Sequence, residues 1–376
     1  MNAEAFDVAV VGGGLHGLSA ALHLARIGRS VCVIERRWTG RHASGATAAG
    51  VRTLNRDLAE VPISLEAMAM WHRIAEIVGD DCGFQAHGQI NVAERQEQMP
   101  TLLRREAKMR SLGYSHEELV DAKELRRLVP ALSPHCVGAL VARRDGAADP
   151  HRTVLAFRRA CEAEGVVVAE GCGVEAVDRQ GADWLLACGA RRFRAPIVVN
   201  AGGAWAARLA ALFGDEIALG VRASMMIVTE RLAPLLAPVV SVIGRALSFK
   251  QSDQGTLVIG GGLQGAADLD RERSTVNFAE LAKGARAASD LFPAVRGVRI
   301  ARCWTGIEAQ TRDHLPVIGA SPNAAGLFHI FGFSGHGFQL VPVVGAITAE
   351  LVAEGRSRRD ISAFVPQRLM QERTAA

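Results

Sequence analysis

Apolar strands alternate with amphipathic helices around a complete strand–glycine turn–helix unit. This predicts an α/β chain, α+β overall, built on a Rossmann-like dinucleotide-binding domain. Two more observations shape the prediction. A second glycine-rich stretch lies near the far end of the 376 residues. Between them, 217 to 297 reads as short strands with one helix, 278–291, so a mixed-sheet domain is expected to be interleaved with the first.

The first unit is complete in its parts. An apolar strand, 6–11, runs into Gly12-x-Gly14-x-x-Gly17, with Leu15 and His16 inside the motif. An amphipathic helix, 15–27, and a second strand, 30–34, follow and end in Glu35. Gly12 permits the tight turn, Gly14 lets backbone approach a diphosphate, and Gly17 lets the helix pack on the strand. The helix N-terminus offers free N–H groups and partial positive charge to the anion. Glu35 stands near the spacing of an acid that binds ribose hydroxyls.

Gly260-Gly261-Gly262-Leu263-Gln264-Gly265 fits the same glycine pattern but not its context. No helix and no acid-ending strand follow, so a strand end and loop is expected there. One dinucleotide site and no second favours FAD alone over FAD plus a nicotinamide. The C-terminal stretch, Gly332-Phe333-Ser334-Gly335-His336-Gly337-Phe338, supplies the other half. If one FAD bridges both signatures, the first holds its diphosphate and the second closes over its ring. The loop to Gln339 opens the last long helix, whose N-terminus carries partial positive charge.

Composition agrees. Apolar residues make up 49%, enough for a sizeable core, and the net charge is a mild +4. Lys and Arg are scattered, so nucleic acid is not an expected partner. No apolar run reaches membrane-spanning length, and a strand begins too early for a cleavable signal. Seven cysteines without C-x-x-C argue for reduced thiols in the cytoplasm and against zinc or iron–sulfur sites. Electrons must then leave to O2, a quinone or a partner protein.

Along the chain, 62–78 reads as a helix with Pro in its first turn. Strands follow at 84–93 and 137–144, with helices at 94–112 and 121–128 between them. A helix at 151–164 returns to the core, followed by a strand at 166–169 and a meander near 174–177, 184–188 and 191–193. A buried strand, 197–200, then runs into another helix. The FAD-binding domain is expected over 1–80, 145–220 and 298–376, and the substrate domain over 81–144 and 221–297.

Five stretches together carry a family likeness: the fingerprint; Ala43 to Arg52; Asn200-Ala201-Gly202-Gly203-Ala204-Trp205; Trp304-Thr305-Gly306 with Thr311-x-Asp313-x-x-Pro316-x-Ile318-Gly319; and the Gly332–Phe338 loop. The chain resembles the FAD-dependent amine oxidoreductases, including sarcosine oxidase, glycine oxidase and D-amino acid oxidase, with the D-hydroxyproline dehydrogenase branch nearest. The resemblance implies oxidation of a secondary or D-amino acid to the imine by hydride transfer to flavin N5. It also leaves open a flavin subunit that needs its partner, in a homo- or hetero-oligomer.

Residue roles follow from the resemblance. Glu35 would hold the adenosine ribose with Arg36 beside it, and the Val174 backbone would pair with adenine. Ala43, Ser44, Thr47, Ala49 and Gly50 would line the diphosphate and ring approach. Ala201, Gly202, Trp205, Gly306 and the Gly332, Gly335, Gly337 loop would complete the cofactor site. His336, Phe338 and Gln339 would sit against the flavin. Relatives bind the substrate carboxylate with an arginine where Glu308 stands, or with an arginine–lysine pair matching Arg52 and Gln339. Arg52 is therefore expected to clamp a carboxylate, while Gln339 and Glu308 contact polar groups and His336 lies near the amine. Relatives with covalent flavin use a cysteine where Gly306 stands or a histidine near Thr47, so FAD is expected to be non-covalent.

Overall fold

Six strands make the sheet on which the fingerprint rests. In the computed structural model, which describes residues 3–370, their order is Val317–Ala320, Leu327–Phe331, Ile197–Asn200, Val8–Val11, Val31–Ile34 and Val167–Ala169. Neighbours run parallel except at the Val317–Ala320 edge. Val8–Val11 is buried throughout because helices cover one face and the meander the other. Helices Leu15–Arg26, Pro150–Ala163 and Val341–Glu354 share the first core. The meander Ala176–Gln180, Asp183–Cys188 and Arg191–Ala195 packs Trp184, Leu186 and Phe193 on the reverse face, against Ala9, Val11 and Cys32.

The second sheet has eight strands, ordered Ile300–Gln310, Gly220–Arg231, Thr256–Gly260, Ser248–Gln251, Val239–Val242, Gln89–Ala93, Gly138–Ala142 and Glu118–Asp121. One face packs on helix Phe278–Leu291, with Phe249 stacked on Phe292 at 4.3 Å. That helix begins at Asn277, whose side chain accepts from the Ala279 and Glu280 N–H groups. The other face looks toward the first domain.

Three boundaries differ from expectation. Ile300–Gln310 pairs along its length with Gly220–Arg231, so the chain rejoins the first sheet only past residue 310, not at 298. The expected 62–78 helix breaks at His72–Arg73 into Val61–Trp71 and Ile74–Val78. Glu118–Asp121 is an edge strand within a stretch expected to be helical; only one of its four residues is buried, which leaves a weak pattern. Among the described residues, no helix is long and apolar enough to cross a membrane.

Candidate active site

The fingerprint forms as its spacing requires. Gly12 has φ 118°, a left-handed conformation, and a Cβ there would strike the Ala201 carbonyl. A Cβ on Gly17 would overlap the Gly12 carbonyl oxygen, which lets helix Leu15–Arg26 sit directly on the strand. Gly14 opens instead toward Ser44, whose Oγ accepts from the Leu15 N–H at 2.9 Å. Glu35 ends its strand and accepts from the N–H groups of Gly13 (2.7 Å) and Arg37 (2.9 Å). Burial raises its pKa, and these two N–H bonds oppose that rise. Arg36 lies against Gly173 and pairs with Glu272 at 3.2 Å.

A cavity of about 920 Å³ runs without interruption from Gly12, Glu35, Arg36 and Val174 to the loop around Gly332–Gly337. Ala43, Ser44, Thr47, Gly50, Ala201, Gly202, Trp205 and Gly306 line it between those ends. Trp205 is fixed by its Nε1–H donating to the Leu269 carbonyl at 3.1 Å, and it meets the His42 ring at 4.5 Å. Gly306 has no room for a side chain, since a Cβ would strike Ala46. Gly17 and Ala49 stand behind this wall: Gly17 packs, while Ala49 (φ 54°) takes the turn before Gly50.

The far loop folds onto the fingerprint itself. Phe333 stacks on His16, and Ser19 Oγ donates to the Val341 carbonyl at 2.8 Å, joining the first helix to the last. Burial drives the His16 pKa down to about 3, so its imidazole is neutral. Both its ring nitrogens are buried, and it lines the cavity. An elongated dinucleotide fits this shape: glycine backbone and a helix N-terminus at one end, and a helix-opening loop at the other. FAD would be held by Gly12–Gly17, Glu35, Ser44 and Val174 at its nucleotide end and by Gly332–Gly337 at its ring.

Above that loop, the second sheet presents alternating side chains: Arg222, Ser224 and Met226; Ser248 and Lys250; Val239 and Ser241; Gln89 and Asn91. Glu308 stands directly across from Arg222, and Ser224 Oγ donates to it. Burial raises the Glu308 pKa against the Ser224 bond and the Arg222 charge. Arg52 lines the cavity and donates to the Leu54 carbonyl at 2.6 Å. Burial lowers its pKa, opposed by Asp145, Glu60 and Glu117. His336 hydrogen-bonds Glu60 at 2.9 Å.

Gln339 corrects an expectation. Its amide is fully buried and turned away from the cavity. Its Oε1 accepts from Arg56 (2.9 Å) and Ser64 (3.2 Å), and its Nε2 donates to the Ser64 carbonyl (2.7 Å). These bonds occupy its oxygen and one of its two N–H groups, and the side chain is not part of the cavity wall. Glu60 and Arg56 were not expected from the sequence. The alternation Arg222-x-Ser224-x-Met226 carried a signal for the face; Glu60 sits in no motif.

Together these features define a dinucleotide-binding flavoprotein oxidoreductase with a polar chamber beside the closing loop. The chain belongs to the DAO family of FAD dependent oxidoreductases, whose model matches residues 7–351. It is 27% identical over 365 residues to the beta chain of sarcosine oxidase from Rhodobacter capsulatus, covering 94% of this chain and 86% of that protein. Glycine oxidase of Geobacillus kaustophilus is 27% identical over 368 residues, covering 96% of both chains. Its crystal structure superposes with a TM-score of 0.89, covering 96% of this chain and 98% of that one. The structure of L-proline dehydrogenase from P. horikoshii superposes with a TM-score of 0.90 at 25% identity, covering 98% of each chain.

Proposed function

We propose that the protein oxidises a small amino acid with a secondary or D-configured amine to its imine. The observation that carries this reading is the chamber, where Arg52, Glu308 and His336 open into the same cavity as the fingerprint. Bound FAD supplies the acceptor for a hydride from the α-carbon. Arg52 binds the substrate carboxylate by a charge-assisted pair. Glu308, fixed by Ser224, takes a hydroxyl or ammonium group, and His336 stands near the amine. Relatives named for sarcosine, glycine and L-proline support this substrate class.

The test is anaerobic bleaching of the bound flavin with proline, hydroxyproline, sarcosine, glycine and D-amino acids. Bleaching by one of them supports the reading, and bleaching by none overturns it. Acid precipitation should release FAD into solution. A second reading, a flavin-binding component that works only with a partner, is favoured by relatives named as subunits of sarcosine oxidase and of opine oxidase. It predicts bound FAD and no turnover until the partner is added.

A further inference from the structure

The charges of the chamber do not balance. Among the described residues that line it away from the nucleotide end, Arg52, Arg222, Arg245 and Lys250 are cationic and Glu308 alone is a carboxylate. Arg245 is answered nearby, by Glu94 at 2.7 Å and Asp290 at 3.5 Å. Arg222 stands across from Glu308 and acts on its charge. Arg52 donates to the Leu54 carbonyl and is offset only through space, by Asp145, Glu60 and Glu117.

Lys250 is the least answered of the four. Its ammonium has three N–H groups, and the described protein takes one, through the Ala148 carbonyl at 3.3 Å. The acids whose charge reaches it are Asp149 and Asp253. Both are engaged elsewhere. Asp149 caps helix Pro150–Ala163 by accepting from the Arg152 N–H at 2.8 Å, and Asp253 accepts from Gln85 at 3.0 Å. Glu308 is too far along the sheet to serve. Lys250 pairs with Val258 and Val258 with Val228, six residues from Arg222 and so roughly 20 Å along the strand. An ammonium buried without a carboxylate in contact is costly. This one lines a cavity, where a ligand can supply the missing anion.

Lys250 and Arg52 flank one short stretch of backbone. The Ala148 N–H donates to the Ala49 carbonyl, so Lys250 is tied at the level of Ala49. Gly50 and Arg52 follow on the cavity side. From Ala49 to Arg52 is three residues, at most roughly 11 Å of chain. Gln89 lies between, its Nε2 beside Gly50 and donating to the Gly146 carbonyl at 3.2 Å.

We propose that the substrate carries two carboxylates, one held by Arg52 and the other by Lys250. The proposal rests on the amino-acid reading above and narrows it. The second carboxylate is borne on the nitrogen substituent, as in iminodiacetate, or on the side chain, as in D-aspartate. Carboxylates on either side of one nitrogen lie roughly 5 Å apart when extended, and a charge-assisted contact of about 2.8 Å at each end spans the rest. The reaction is the one already described. A carbon bearing one carboxylate gives its hydride to the bound flavin, the nitrogen loses its proton, and the nitrogen electron pair forms C=N. Water then splits the imine into a 2-oxo acid and an amine or ammonia.

Binding separates this proposal from the oxidation reading. Glutarate matches iminodiacetate and butyrate matches sarcosine, each with a methylene in place of the nitrogen, so both report binding without turnover. At pH 7, below its pKa of about 8, Lys250 keeps its charge. Titrated into the holoenzyme and read by flavin absorbance and Tm, glutarate should bind roughly 10- to 100-fold more tightly than butyrate. Lys250→Met should remove that margin with FAD retained, and Lys250→Arg should keep most of it. In anaerobic bleaching, kcat/KM should be higher for iminodiacetate than for sarcosine, or for D-aspartate than for D-alanine. The pair that shows the difference tells where the second carboxylate is borne, and Lys250→Met should lower that ratio. Equal binding of glutarate and butyrate overturns the proposal, as does a margin that survives in Lys250→Met or is lost in Arg222→Gln instead. Bleaching by sarcosine or D-alanine as efficient as by their dicarboxylate partners also overturns it, while the oxidation reading stands. A glutarate margin that depends on Lys250, with no bleaching by any amine, would uphold the two-carboxylate site and reject amino-acid oxidation.

Discussion

The rings of His16 and Phe333 stack with centroids 3.6 Å apart and planes 2° from parallel. One belongs to the nucleotide fingerprint and the other to the loop that opens the last helix, at the far end of the sequence. The stack is therefore the joint at which the two halves of the cofactor site are set against each other. Phe333→Ala should loosen it. The lost aromatic pair is worth about 0.5–1.5 kcal/mol beyond its buried area, so FAD should dissociate several-fold more readily. Dialysis against FAD-free buffer reads the loss; full retention would mean that the halves are held together elsewhere.

The two glycine signatures should respond differently to a single methyl group. At Gly14 a Cβ meets only Ser44 Oγ, at 3.1 Å, so Gly14→Ala should reduce FAD content partially. Gly14→Val, whose branches push Ser44 off the Leu15 N–H and fill the diphosphate approach, should abolish it. At Gly337 a Cβ would fall 2.5 Å from the Phe333 Cβ, so even Gly337→Ala must displace the stacked loop. Gly337→Asp adds negative charge at the helix start and should also lower the flavin reduction potential. The potential of Gly337→Ala separates charge from displacement: an equal shift in both variants would remove charge as the cause.

The fingerprint, Glu35 and the closing loop were legible because each obeys a local rule: a glycine where backbone must come close, an acid at a strand end, a helix N-terminus facing an anion. The helix Phe278–Leu291 was legible for a similar reason, with Asn277 as its cap. Gln339 was misplaced because it sits inside the short helical turn Phe338–Leu340, and its direction is set by Arg56 and Ser64, distant in sequence. Glu60 was invisible because its role exists only once His336 is brought beside it. The strand Ile300–Gln310 was assigned to the wrong domain because a change of sheet leaves no break in hydrophobic pattern.

Gln339→Lys shows what this correction changes. If the side chain faced the chamber, a lysine would add a second cation for a carboxylate. In its observed place it would set an ammonium beside Arg56 and leave Ser64 without its acceptor. A second buried cation, with Glu60 the one carboxylate described beside Arg56, should cost on the order of 3 kcal/mol. The expected outcome is a lower Tm and poor FAD retention, with no tightening of sarcosine binding. A stable variant with tighter carboxylate binding would return Gln339 to the active site.

Arg52→Ala should weaken amino-acid binding while leaving simple amines nearly unaffected. Truncating one partner of a buried charge pair costs about 2–4 kcal/mol, or roughly 30- to 1,000-fold in affinity. Arg52 also offsets Asp145 and Glu60, so FAD content and Tm must be measured alongside; Arg52→Lys keeps the charge and separates the two roles. The concentration of substrate for half-maximal bleaching is the readout. If it is unchanged, the carboxylate is held by another cation of the chamber wall, Arg222 or Lys250 on the sheet or Arg245 in the turn beside it.

Lys250 supplies a pH test of the chamber. It stands across from Val258 and lines the cavity, and its Nζ donates to the Ala148 carbonyl at 3.3 Å. Burial lowers its pKa to about 8, against the pull of Asp149 and Asp253. The sign follows from linkage: the unfolded chain keeps its proton to about 10.4 while the folded chain gives it up near 8. Below pH 8 both states carry the charge, and the fold bears the cost of burying it. Between about pH 8 and pH 10.4 only the unfolded state remains charged, and the fold gains relative stability. Lys250→Met should therefore be the more stable protein at pH 7, by on the order of 3 kcal/mol, and its advantage should shrink as pH rises through that window. Thermal unfolding of both proteins from pH 6 to pH 10 measures the difference. A constant gap would show that the ammonium is solvated. A gap that closes only when a carboxylate ligand is present would mean that Lys250 binds the anion in place of Arg52.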